Sequence, residues 1–423
     1  MVNKWLVLVS FMILCISGTL AQGNARIQEV NFEGLKKNKL PYLQNIVEVT
    51  EGDVIDFESI SNDVQQLKNS VGIADASFRV DTLNSDVTLT YVTEEKKTLL
   101  PIAKFGGIRD NIWLQLGFVD INWLGTGQTL TAHYQNSDGR HSGLVFYRVP
   151  NVQNTAWGYS VSLSKWSSRE PLFFPEGTVF YDYDNNSLAL TGIRNLNKQN
   201  FVEVGATYFV ETYSISEEQE IMELNGPNLI RQPKFLFKLE YQLDKLDYHF
   251  FYINGTHWTS AFQNVLNTVD NTWFHSIEFQ GRKFWRLGEK GNLASRFRFA
   301  LSTNNDSPFA PFVADSHINL RGVGNRIDRG TAQIILNLEH RYTILEKKEW
   351  AAQAVVFADL GTWRNPGGEL RDVLDPNQFR QFIGAGFRII KNRITGATLR
   401  VDYGIDIFNT EQRGFVIGLG QYF

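Results

Sequence analysis

The chain is poor in several things, and each scarcity narrows what it can be. Among 423 residues there is one cysteine, Cys15, and it lies inside an N-terminal apolar run from Trp5 to Ile16. Lys4 precedes that run and Thr19-Leu20-Ala21 follows it. A positive start, a short apolar core and a small final residue read as a secretory signal over residues 1–21. Leu14 stands where a lipoprotein signal has a small residue, which argues against lipidation of Cys15. Cleavage after Ala21 leaves no cysteine, so neither disulfides nor thiolate metal sites hold the mature chain together. Long apolar runs are also missing. A spanning helix needs ~20 residues, and nothing after residue 22 approaches that. Positive charge is not in excess. The formal charge of −4 becomes −5 once Lys4 is lost, so no basic field invites nucleic acid. These totals suit a soluble protein and a transmembrane β-barrel equally, because a barrel's polar lumen offsets its lipid face. Pattern has to decide.

Residues 24–95 read as a small α+β domain. Ile27 to Phe32 alternates as a strand and stops at Gly34. Leu40 to Val49 and Phe57 to Leu67 have helical spacing, the second with Phe57, Ile60, Val64 and Leu67 on one face. Asp56 or Ser59 is placed to cap it. Two strands follow, Ala76 to Val80 and Val87 to Val92, split by the turn-forming Asn84-Ser85. The charged Glu94-Glu95-Lys96-Lys97 then reads as a junction.

From Pro101 to Phe423 one unit repeats: an alternating run of roughly ten residues, then Gly, Asn, Asp or Pro. Phe235, Phe237, Leu239 and Tyr241 alternate with Lys238, Glu240 and Gln242. Leu399, Val401, Tyr403 and Ile405 alternate with Arg400, Asp402 and Asp406. About sixteen such runs predict a closed antiparallel barrel over 101–423, since roughly ten tilted residues cross a bilayer. A soluble sandwich alternates too, but its strands are shorter and its outer face is the polar one.

Several strings resemble the BamA/TamA-like outer-membrane POTRA–barrel superfamily, also called the bacterial surface antigen family. Val30-Asn31-Phe32-Glu33-Gly34, within its strand–helix–helix–strand–strand order, resembles the start of one POTRA domain. Asn122-Trp123-Leu124-Gly125-Thr126-Gly127-Gln128 resembles the turn after that family's second barrel strand. Leu320-Arg321-Gly322-Val323 sits on a long connection, Ile318 to Asn325 at its centre, between alternating runs ending at Ser302 and starting at Gln333. It resembles the Val-Arg-Gly-Phe/Tyr signature of the family's long sixth loop, with Val323 in place of the aromatic. Val356 to Gly361 resembles its Phe-x-Asp-x-Gly motif.

The resemblance implies a loop latch of Arg321, Gly322, Glu339 and Asp359, in which the loop folds into the lumen and its arginine pairs with inward carboxylates. Alternation itself sets Asp359 opposite in face to Ala358 and Leu360, hence inward, and puts Glu339 on a polar face. The chain reads as a strand to its last residue, with Phe415, Ile417, Leu419 and Phe423 on the lipid face. A terminal aromatic there resembles a barrel-sorting signal, broken by Gln421. Gly418 and Gly420 on the other face weaken packing at a seam between first and last strands.

Implied function is insertion or translocation of polypeptides in the outer membrane of a Gram-negative bacterium, with the N-terminal domain in the periplasm. Partners implied are the lipid bilayer, unfolded outer-membrane or secreted polypeptides, and further assembly-machinery subunits. No phosphate loop, metal cluster or nucleotide fingerprint appears, so neither a cofactor nor catalysis is expected. Three other readings stay open. A small-solute channel uses the same barrel but needs neither the N-terminal domain nor the arginine. A lipase would need a nucleophile and base, for which His133, His141 and Ser142 are available. A scaffold subunit of a larger assembly complex keeps the fold without the insertase role.

Overall fold

The computed structural model describes residues 25–423 apart from 84–85, 109–110, 153–154, 175–176, 216–226, 314–318, 324–327, 377–378, 393 and 395–397. The signal reading at 1–21, the Asn84-Ser85 turn, and Ile318, Gly324 and Asn325 of the long connection fall outside these. Two units meet in sequence at Glu95/Lys96.

In the first unit, β1 (Ile27–Glu33) and β2 (Ile73–Leu83) flank β3 (Asp86–Glu95), parallel and antiparallel to it respectively. β1 and β2 are therefore both sheet edges. Two helices, α1 (Leu40–Gln44) and α2 (Phe57–Asn69), lie between β1 and β2 in sequence. Asp56 caps α2, accepting from the Glu58 and Ser59 amides. Ile60 and Leu67 are fully buried with Ile27, Leu43, Leu89 and Tyr91, whereas Phe57 of the expected apolar face is 55% exposed. The first helix is shorter than its spacing predicts, which ran it to Val49. Asp63 is the reason: its carboxylate accepts the Glu48 and Val49 amides at 2.7 and 3.0 Å, drawing that stretch out of the helix. Tyr91 donates to the same group at 2.7 Å. Burial and then the Asp63 carboxylate raise the Tyr91 hydroxyl's pKa, so it stays a donor. Glu95, read as part of a charged junction, instead accepts the amides of Lys36, Lys37 and Asn38 at 2.8–3.0 Å.

The second unit is a closed barrel of sixteen antiparallel strands. Its first half is β4 (Leu99–Ile108), β5 (Asn111–Trp123), β6 (Gln128–Ser137), β7 (Arg140–Val149), β8 (Trp157–Phe174), β9 (Gly177–Asn195), β10 (Asn200–Ile215) and β11 (Leu229–Tyr248). Then come β12 (Ile253–Asn267), β13 (Thr272–Leu287) and β14 (Gly291–Ser302). A two-stranded ribbon, β15 (Phe312–Val313) with β16 (Arg329–Gly330), forms on the long connection as a sheet separate from the barrel ladder. β17 (Ala332–Glu346), β18 (Trp350–Arg364), β19 (Arg380–Lys391), β20 (Thr398–Asp406) and β21 (Arg413–Leu419) complete it, and β21 pairs with β4.

Alternation sorts the two faces as the sequence predicts. On β11, Phe237 and Leu239 are exposed on the outer face while Lys238 and Glu240 pair at 3.1 Å on the inner. Strands β8 to β11 have 16–20 residues, longer than the runs of roughly ten expected. On β9 part of the extra length is polar outside: Leu188 and Leu190 point outward, and Asp184 and Asp182 follow on that same face. Among the described residues no helix is long and apolar enough to cross a membrane.

Turn chemistry explains the Asn-Trp-Leu-Gly-Thr-Gly-Gln string. After β5 the chain turns through Leu124, at φ 60°, and Asn122 locks the turn by accepting the Gly127 amide at 2.7 Å. Asp120 in turn accepts from the Asn122 amide and the Thr98 hydroxyl at 3.0 and 2.7 Å.

Candidate functional site: the buried cluster around Arg321

β17 and β18 pair so that Asn337 faces Asp359 and Glu339 faces Phe357 across the ladder. Period-two alternation turns all four, with Arg341, to the inner face. The connection between β14 and β17 returns to this wall and delivers Arg321. Leu320, fully buried, packs beside it against Ile335 and Phe382, with Val323 against the same group. Apolar contact thus seats the tip on both sides of the arginine.

The structure brings Arg321, Glu339 and Asp359 together. Arg321 and Glu339 are 0% exposed and Asp359 is 2% exposed. The guanidinium donates to Asp359 in a fork, Nε to Oδ2 at 2.9 Å and Nη2 to Oδ1 at 2.8 Å, while Nη1 pairs with Glu339 Oε2. The Arg321 amide adds a third bond to Asp359 Oδ2 at 2.9 Å. Gly322 has φ 101°, and a Cβ there would come within 2.8 Å of Gly404 backbone and the Phe382 ring. Only glycine passes this point without strain.

The sequence reading missed most of the surrounding shell. Asn337 donates to Asp359 Oδ1 and to the Asn319 carbonyl, both at 2.8 Å. Arg341 Nε lies 2.6 Å from Glu339 Oε1, and Arg388 Nη2 lies 3.4 Å from Glu339 Oε2. Arg388 also forks onto Asp402 at 2.7 and 3.1 Å. Phe357 and Tyr422 stack on the guanidinium with ring centres 3.6 and 4.3 Å from Cζ. Parity was the available signal for Asn337, Arg341 and Phe357, each two residues from a carboxylate already singled out. Nothing local marked Arg388, Asp402 or Tyr422.

The last four residues correct the terminal-strand reading. β21 ends at Leu419, and Phe423 does not reach the lipid face. It lies inside, with Phe284 and Leu246 and beneath Arg296 and Arg341. The reason is Gly420: its amide still donates to the Thr398 carbonyl at 2.8 Å, one step past the Leu399–Leu419 pair, and its φ of 91° then turns the chain off the strand. Gly418 stays in β21, where its missing side chain leaves room for Arg400 Nη2, 3.3 Å from an ideal Cβ. Of the lipase candidates, Ser142 bonds the Ser167 backbone at 2.9 and 3.2 Å, and His141 Nδ1 lies 2.5 Å from the Tyr134 hydroxyl.

Two family models match. Residues 122–423 fit the Omp85 superfamily domain, and residues 25–96 fit the POTRA model described as the surface antigen variable number repeat. No curated protein sequence matches. Among solved structures, the chain resembles BamA from Haemophilus ducreyi lacking POTRA domains 1–3, at 16% identity and TM-score 0.55, covering 93% of this chain and 84% of that one. It resembles CdiB from Acinetobacter baumannii at 13% identity and TM-score 0.59, covering 94% and 74%. CdiB from Escherichia coli aligns at 10% identity and TM-score 0.64, covering 94% and 77%. At such identities the structural likeness speaks to the fold alone, and the family rests on the domain model. With a barrel whose loop arginine is buried between two inward carboxylates, preceded by one POTRA domain, this chain belongs to the Omp85 superfamily of outer-membrane β-barrels.

Proposed function

We propose that the chain inserts or translocates polypeptides at the outer membrane of a Gram-negative bacterium, with its N-terminal unit in the periplasm. The observation that carries this is the seam. β21 meets β4 at two register pairs among the described residues, Val416 with Gly106 and Ile417 with Phe105. On its other side β21 pairs with β20 from Arg413 to Leu419, and β4 pairs with β5 along its whole length. Open ladder groups in a hydrocarbon layer cost several kcal/mol each, so a seam this short gives an incoming β-strand a strong incentive to pair there. The edge of β2 offers a second docking row, where an extended polypeptide adds as a strand before it reaches the membrane. Arg321 and its carboxylates act as a latch that holds the long connection inside the barrel. A small-solute channel fits less well, because Arg321, Tyr422 and Phe423 occupy the interior.

The test is depletion of the protein, a census of the outer-membrane and surface proteins that disappear, and rescue. Wild type should restore them. Proline at Phe78 or Arg79, one of which presents its amide to the open edge of β2, should restore them poorly. Full rescue by both would point to a scaffold or a channel.

A further inference from the structure

Aromatic belts are general to membrane barrels, but on this wall one pairing recurs with the same backbone around it. Trp157 opens β8 and lies directly across the ladder from Arg194, near the end of β9. Trp350 opens β18 and lies directly across from Lys391, the last residue of β19. In both places the cation sits over the indole, with Arg194 Cζ 4.7 Å and Lys391 Nζ 4.6 Å from the ring centre. In both places an asparagine follows the cation, and its amide donates to the carbonyl that precedes the tryptophan: Asn195 to Ala156 at 2.8 Å, Asn392 to Glu349 at 3.0 Å. That bond carries the ladder one step past the pair and holds it in the sheet. From β8 to β18 is eight steps around a wall of sixteen strands, so the two pairs stand at opposite ends of a diameter. Both tryptophans are exposed on the outer face, in step with Leu163 and Val356. Both pairs lie at the end of the barrel where the turns are short, away from the long connection.

Neither the Arg194 nor the Lys391 side chain makes an ion pair or hydrogen bond among the described residues. A ring holds one side of each cation, and its N–H groups are left to meet an anion on the other. We propose that the two pairs are binding sites for the phosphate of an anionic phospholipid in the periplasmic leaflet, one lipid at each. The indole packs along the glycerol and the upper acyl chain at the membrane boundary, and the cation donates to the phosphate oxygens. Arg194 offers two parallel N–H groups and grips the phosphate with both; Lys391 meets it as a point charge. Anchors at opposite ends of a diameter fix the height of the barrel and its tilt along that diameter. Lys283 beside Trp285, on the same rim, is the contrast. Its ammonium lies 6.0 Å from the ring centre and already donates to Thr256 Oγ1 at 2.9 Å. The choice of leaflet rests on the proposed orientation; the lipid contact itself does not.

Native mass spectrometry of the purified full-length protein in detergent, titrated with phosphatidylglycerol, counts the lipids held. Two should be retained per barrel. Phosphatidylcholine, whose choline neutralises the phosphate, should be held about tenfold more weakly. Arg194→Ala and Lys391→Ala should each remove one lipid, and the double variant both. Arg194→Lys should keep its lipid, and Lys283→Ala should keep two. Trp157→Phe should retain binding at the first site, whereas Trp157→Ala should weaken it about tenfold. Heat-dependent gel mobility confirms the closed barrel, and Arg194→Gln or Lys391→Gln replaces an alanine variant that does not fold. Millimolar inorganic phosphate should displace neither lipid. Equal retention of the two lipid classes, or the same count in every variant, marks an unspecific annulus and would overturn the sites. Displacement by inorganic phosphate would overturn a lipid as the occupant, and preference for lipopolysaccharide over phosphatidylglycerol would overturn the periplasmic leaflet. Because no polypeptide client enters the assay, loss of the insertion reading would leave a lipid count that responds to Arg194 and Lys391 standing.

Discussion

Removing the Arg321 side chain is the sharpest perturbation of the cluster. Arg321→Ala takes from Asp359 the two bonds of the fork, at 2.9 and 2.8 Å, and leaves it Asn337 Nδ2 and the residue 321 amide. Glu339 keeps Arg341 and Arg388. Neither carboxylate is wholly orphaned, so the cost falls at the low end of the ~3–5 kcal/mol for breaking a buried pair. Loss of about 3 kcal/mol is roughly a hundredfold in an opening equilibrium. That loss belongs to the loop and not to the barrel, whose sixteen-strand ladder does not pass through Arg321. The readout is therefore local: hydrogen exchange of the 319–323 amides and protease cleavage within 303–331, with the folded barrel confirmed by gel mobility. Exchange should accelerate by about two orders of magnitude. Arg321→Lys keeps the charge but loses the planar fork and should recover only part of the protection. In a double-mutant cycle, Arg321→Ala with Asp359→Ala should show ~2 kcal/mol of coupling. Strict additivity, or unchanged loop protection in either single variant, would refute the latch and return Arg321 to an ordinary loop residue.

Gly322→Ala should open the loop as far as Arg321→Ala does, because its Cβ meets Gly404 backbone and Phe382 at 2.8 Å, while Gly367→Ala, which meets nothing within 4 Å, should leave this loop's exchange unchanged. Asp63→Ala should destabilise the N-terminal unit by roughly 1–3 kcal/mol, since it strands the Glu48 and Val49 amides and the Tyr91 hydroxyl; exchange of those amides in the full chain measures it. The carboxyl of Glu95 is raised by burial but lowered further by the Lys36, Lys37 and Asn38 amides, so it lies below its ordinary range. A group with a depressed folded pKa stabilises above its unfolded value and stops doing so as pH falls through the folded one. Protection factors of the 36–38 amides should therefore drop as pH falls below ~4, and Glu95→Gln should flatten that dependence.

How much of this was legible in the sequence follows from what is local. Whether a strand residue faces in or out depends on its parity, so the inward placement of Glu339 and Asp359 could be read from their neighbours. The turn after β5 could be read for the same reason, since Asn122 bonds an amide only five residues on. The long connection declared its arginine through Leu320-Arg321-Gly322, but parity cannot say where a loop returns. Arg388 and Asp402 lie 49 and 63 positions beyond Glu339, and the pairing of β17 through β20, with Arg388 reaching back across β18, links them into one cluster. The first helix was overextended because Asp63, fifteen residues after Glu48, competes for its amides. Segment 420–423 is the clearest case. By itself the sequence determined that these residues can form a strand, because alternation is all a strand requires. Only the tertiary structure decided that they turn at Gly420 into the barrel, because the partners that reward the turn, Arg321, Arg341 and Phe284, come from the long connection and from the separate strands β17 and β13.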